Sequence, residues 1–172
     1  MAAPPSAKLQ NLSGDSIMNK KLSDDTDGLL ALTQTLTHQQ QGVNWITRKG
    51  LGIATVKLHI KGYVDSDSIT HIDIQNIVAG RSSPTTELRQ LDWQEREREA
   101  PIFSKVRMKA LWIQLADVED AFLKAGWKAE MNEGGFIESR VESIEGGWVQ
   151  EQIWGFEGER RYVRRVFVEK KR

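Results

Sequence analysis

Ile53 to Tyr63 reads IATVKLHIKGY, and the alternation within it decides the fold. Val56, Leu58 and Ile60 fall on one side of an extended chain, with Lys57, His59 and Lys61 on the other. Successive side chains of a strand point to opposite faces, so this is the pattern of a half-buried strand. Ile69 to Ala79 (ITHIDIQNIVA) repeats it, setting Ile72 and Ile74 against His71, Asp73 and Gln75. Val64 to Ser68 supplies the turn between them. Further along, Phe103 to Leu115 places Val106, Met108, Ala110 and Trp112 opposite Lys105, Arg107 and Lys109. Thr86 to Gln94 alternates less cleanly, and Phe136 to Ile144 is another strand. Trp148 to Phe156 and Arg161 to Glu169 read as a hairpin across Glu157-Gly158-Glu159. Strands joined in chain order by short turns predict an up-and-down antiparallel sheet. A twisted sheet of about ten strands tends to curl, and closure removes its exposed edges. The expected fold is therefore mainly β, an up-and-down antiparallel β-barrel.

Two segments carry a helical period instead. Ser23 to Asp27 offers side-chain oxygens for a first helical turn, and Leu29, Leu32 and Leu36 then share a face. A second short helix over Asn44 to Leu51 would complete a helix-turn-helix lid near the N-terminus, with Trp45 at the barrel mouth and Gly42 and Gly52 as hinges. Asp117 to Gly126 places Val118, Phe122 and Ala125 on one face, which predicts a short inserted helix within an insertion near 115–135. Ser13 to Leu22 is a thin candidate for a first strand. Residues 1–12 look like a flexible leader, and 13–172 like one domain. Gln94 to Ala100 (QEREREA) reads as a solvated turn or strand end.

Composition narrows the function. Lys and Arg number 24, as do Asp and Glu, so the chain has no basic excess for nucleic acid. There is no cysteine, which removes disulfides, thiolate nucleophiles and zinc-thiolate sites. No apolar run suggests a signal peptide or membrane insertion, so a cytoplasmic protein is expected. No pair of the three histidines, His38, His59 and His71, has metal-ligand spacing, and no phosphate loop or dinucleotide fingerprint is present. No metal or cofactor is expected.

Gly42-Val43-Asn44-Trp45-Ile46-Thr47-Arg48-Lys49 resembles the second-helix motif of the intracellular fatty-acid-binding proteins, a calycin family. The end of the chain, Val163 to Lys170, is similar to that family's last strand. The resemblance implies a ligand-filled barrel in which Arg165 takes a carboxylate. Phe167 stands where the family has a tyrosine.

The residues themselves point to a cavity. Trp148, Gln150, Gln152, Trp154 and Phe156 share one strand face, and amides between aromatic groups suit a pocket wall better than a solid core. Arg164 and Arg165 are adjacent, so a regular strand directs one of them inward, either with Tyr162 or with Phe167. A buried Arg needs an anionic partner. The principal expectation is a carrier of a hydrophobic small molecule such as a fatty acid, binding rather than catalysing. The alternatives are a barrel enzyme, a cyclase or isomerase acting on an apolar metabolite, and an interaction domain with a solid core. For an enzyme, His59, His71 and Asp73 are the candidate acid–base cluster.

Overall fold

The computed structural model describes residues 3–4, 6–23, 55–80, 82–100 and 104–171. The helix-turn-helix lid, with Leu29, Leu32, Leu36 and Trp45, lies outside the described residues. Among those described, nine strands form: β1 (Gly14–Ile17), β2 (Val56–Val64), β3 (Thr70–Val78), β4 (Thr85–Gln90), β5 (Arg96–Ala100), β6 (Ser104–Ile113), β7 (Phe136–Ser143), β8 (Trp148–Glu157) and β9 (Arg161–Lys170). Neighbours in sequence are neighbours in space, but they fall into two antiparallel sheets, β1-β2-β3-β4 and β5-β6-β7-β8-β9. Among the described residues no closed barrel forms, which corrects the sequence expectation.

The break lies at the corner between β4 and β5. Leu91 makes a single parallel bridge to Ala110, and the Trp93 N–H donates to the Ala110 carbonyl at 2.8 Å. Trp93 has φ of 59°, a left-handed conformation that bulky residues rarely adopt. Both Asp92 oxygens accept from Arg96, at 2.7 and 2.6 Å, and clamp the turn. The chain therefore leaves the first sheet, and β5 pairs with β6. Gln94 to Ala100 is thus a strand for most of its length, not a solvated turn. Its charges match those of β6: Glu97 pairs with Lys105 at 2.8 Å and Arg107 at 3.0 Å. Arg98 takes the opposite face, across from Val106.

The main core lies between the sheets. Ile60, Ile72 and Ile74 of the first sheet meet Ile137, Trp154 and Phe156 of the second. Burying each such side chain contributes about 1.5–3 kcal/mol. Leu9, in the stretch whose composition suggests a leader, joins this core at 4% exposure. Trp148, Val106 and Val141 form a separate buried cluster.

A further core covers the outer face of the second sheet. Val118, Leu123, Phe136 and Ile153 pack there with Trp127 and Phe167. The inserted helix α1 (Ala121–Lys124) is shorter than Asp117 to Gly126. Asp120 caps it by accepting from the Leu123 N–H at 2.8 Å. Leu123 is its buried residue, whereas Phe122 is exposed, so the helical face read from the sequence is displaced by one position. Gly155 makes this packing possible, since a Cβ there would come within 2.9 Å of both Phe136 and Trp127. Among the described residues no helix is long and apolar enough to cross a membrane.

Ile137 is fully buried, whereas Ile77 is 44% exposed. Ile137→Ala should cost about 2–4 kcal/mol in urea unfolding, and Ile77→Ala less than about 0.5 kcal/mol. The corner supplies a pH test. The hydrogen bonds from Arg96 lower the Asp92 pKa from 3.8 to about 2. A depressed carboxylate stabilises the fold above its unfolded pKa and loses that contribution as pH falls through the folded value. Asp92→Asn should therefore destabilise by about 1–2 kcal/mol at neutral pH, and the difference should vanish between about pH 4 and pH 2 in urea titrations.

Candidate functional site

The inner face of the second sheet is polar in its middle. Antiparallel register places Ser139 opposite Gln152, and Trp154 opposite both Ile137 and Arg164. From the first sheet, Glu87 and Arg89 share the face of Ile74 and Ile72. The two sets meet between the sheets.

Glu87 is the centre of the group. Its Oε2 accepts from Arg164 Nη1 at 3.2 Å and from Arg89 Nη2 at 3.4 Å, and its Oε1 from Asn76 Nδ2 at 2.9 Å. Arg89 also donates to Ser139 at 3.1 Å. Arg164 donates from Nε to the Tyr162 hydroxyl at 3.0 Å and lies 4.2 Å from the centroid of Trp154. Trp154 donates to Gln152 Oε1 at 2.8 Å. The side chains of Arg89, Arg164 and Glu87 are 5%, 19% and 31% exposed, so the group is enclosed but reachable from the Glu87 side.

Burial pushes the Glu87 pKa up, but the charges of Arg164 and Arg89 more than offset this and hold it below the usual carboxylate range. Burial raises the Tyr162 hydroxyl above the ordinary phenol value, so it stays protonated at neutral pH. Its oxygen accepts from Arg164, which leaves its proton available to donate elsewhere. Burial lowers the Arg89 pKa, while Arg164 is raised because Tyr162 and Glu87 outweigh its burial. Both guanidinium groups remain charged. Arg164 Nη2 and Arg98 Nε are buried and meet no acceptor among the described residues.

A half-open cleft of about 900 Å³ is formed by other residues, and none of Glu87, Arg89, Trp154, Tyr162 or Arg164 lines it. Leu9, Ile72, Trp112 and Met131 line it, with Asn132 and Arg160 among its polar contributors. Strand ladders separate the two by one layer of residues: Ile72, which lines the cleft, is the ladder partner of Arg89, and Ile137 stands between Trp112 of the cleft and Trp154 of the charged group. Asn132 fastens the cavity wall to β8, donating to the Phe156 carbonyl at 2.9 Å and accepting from its N–H at 2.8 Å.

The residues singled out in the sequence separate into groups. Trp148, Gln150, Gln152, Trp154, Tyr162 and Arg164 occupy the inner face. Arg165 and Phe167, which the resemblance places in a ligand clamp, are on the outer face. Arg165 lies 4.4 Å from the Trp127 centroid, pairs with Glu157 at 2.8 Å and donates to the Ala125 carbonyl. Phe167 packs in the outer core. His59, His71 and Asp73 are also turned away from the interior, on the face opposite Ile60, Ile72 and Ile74. His59 pairs with Asp15 at 2.6 Å, whereas His71 pairs with Asp65 at 2.6 Å and stacks on Tyr63. No acid–base cluster forms from them and Asp73 in the interior.

Sequence reasoning missed Glu87, Arg89, Ser139 and Asn132. The signal for the first two was present: the blurred alternation of Thr86 to Gln94 is what a strand with a charged inner face produces.

Taken together, fold and site define a two-sheet protein with a cavity and a cluster of interior hydrogen-bond donors. Along its sequence the chain is similar to the probable pericyclase scpY of Mollisia scopiformis, 29% identical over 175 residues covering 98% of this chain and 87% of that one. No family model and no solved structure matches the chain. These findings overturn the resemblance to fatty-acid-binding proteins, and the carrier reading with it, because the similar protein is named as an enzyme.

Asn132→Ala removes two buried hydrogen bonds and leaves both Phe156 backbone groups unpaired. It should lower stability by about 2–4 kcal/mol in chemical denaturation.

Proposed function

We propose that this chain is an enzyme of the pericyclic class, one that folds an unsaturated, largely apolar substrate and accelerates its concerted cyclisation or rearrangement. Similarity to a named pericyclase along nearly the whole chain carries the reading. The interior agrees with what such a reaction asks of a protein. Bonds form and break in one cyclic array, so no covalent nucleophile is required. What helps is a wall that holds the reacting ends together and donors that polarise an oxygen conjugated with them.

Leu9, Ile72, Trp112 and Met131 are suited to the first task, holding a flexible chain in a folded conformer. Removing the freedom of a chain before reaction can contribute up to about 7–11 kcal/mol. Tyr162 and Arg164 do not line the cleft but lie further in between the sheets, and they are the donors suited to the second task for a substrate that extends past Ile72, since one well-placed donor is worth about 3–4 kcal/mol in a site shielded from water.

The test uses purified protein and a panel of polyenes bearing a conjugated carbonyl, with products separated by chiral chromatography. The expected result is one stereoisomer in excess, formed faster than in buffer. Trp112→Ala should erode the selectivity, and Tyr162→Phe should slow the reaction on the order of tenfold to a hundredfold. His71→Ala should change neither, since His71 is on the outer face. Racemic product at the background rate across the panel would contradict the proposal.

A further inference from the structure

Resting on the reading of the interior as a substrate site, we infer that the ligand carries an acidic oxygen (an enol, phenol or carboxylic acid) bound as its anion by Arg164 and Tyr162. The argument is a balance of charge and hydrogen bonds. Among the described residues Arg89 and Arg164 both contact one carboxylate, Glu87, so two cations there face one anion. The charge of Arg98 also reaches Arg89. The group is therefore cationic in a place where an uncompensated charge is costly. Arg164 has fixed two of its three nitrogens, with Nε on Tyr162 and Nη1 on Glu87, while Nη2 is buried without an acceptor among the described residues.

The Tyr162 hydroxyl, already accepting from Arg164, has its proton left to give. The unspent donors thus belong to two side chains linked by a 3.0 Å hydrogen bond, with Arg164 over the ring of Trp154 and Tyr162 edge-on to it. A single anionic oxygen satisfies both and cancels the surplus charge. A neutral hydrocarbon does neither. Glu87 has the opposite effect, since it competes for the same guanidinium.

Two dyes that differ only by a sulfonate test the inference, anilinonaphthalenesulfonate and the neutral phenylnaphthylamine. Both are titrated against the full chain by fluorescence. The wild type should prefer the anion by on the order of tenfold. Arg164→Gln should abolish this preference while keeping the affinity for the neutral dye. Glu87→Gln should tighten binding of the anion severalfold, because it frees the guanidinium groups. That variant decides the matter if Arg164→Gln loses cooperative unfolding. Failure of the wild type to prefer the anion, survival of the preference in Arg164→Gln, or no tightening in Glu87→Gln would overturn the inference. The dyes do not react, so acidic-ligand binding can fail while the pericyclic reading stands, and the reverse.

Discussion

Arg164 reaches from the second sheet across to Glu87 on the first, and Arg89 reaches back from the first sheet to Ser139 on the second. Much of the interior is arranged around this exchange. Guanidinium groups lose most of their hydration between sheets, and only a paired carboxylate and a ring of acceptors make their burial tolerable. Asn76 holds Glu87 from one side, while Trp154 lies under Arg164 and is itself held by Gln152. The apolar core of Ile72, Ile74 and Ile137 lies alongside, so packing and charge pairing set the same register. A slip of one residue in β9 would turn Arg164 outward and bring Arg165 in, leaving Glu87 without its partner.

This arrangement needs two sheets to face each other, and the corner at Leu91 to Gln94 provides for that. Asp92, clamped by Arg96, ends the pairing of β4 and redirects the chain to β6. The outer core under α1 serves the same end from behind. It covers the far side of β8 and β9 with Leu123, Trp127 and Phe136, so both faces of this edge hairpin are packed. A site built on a hairpin held from both sides keeps its donors in place without help from loops.

Much of the sheet framework was legible in the sequence. The alternation at Ile53–Tyr63 and Ile69–Ala79 marks β2 and β3, and the face shared by Trp148, Gln150, Gln152, Trp154 and Phe156 is the face turned inward. The division into two sheets was not legible, because it turns on a left-handed Trp93 and one hydrogen bond to Ala110, neither of which leaves a periodic trace. Charge obscured β5, whose glutamates look solvated until their partners on β6 are known. Periodicity narrowed the inward arginine to Arg164 or Arg165 but had no means of choosing. The choice depends on Glu87, 77 residues away in the chain, and a short likeness to another family favoured the wrong one.

The charge link between the sheets is open to direct measurement by a double-mutant cycle on stability. Glu87→Gln, Arg164→Gln and the double variant are unfolded in urea, with Arg165→Gln as the comparison partner. The account predicts a coupling of at least about 1 kcal/mol between Glu87 and Arg164, and none beyond about 0.5 kcal/mol between Glu87 and Arg165. Independent, additive effects at Glu87 and Arg164, or a coupling that follows Arg165 instead, would contradict it.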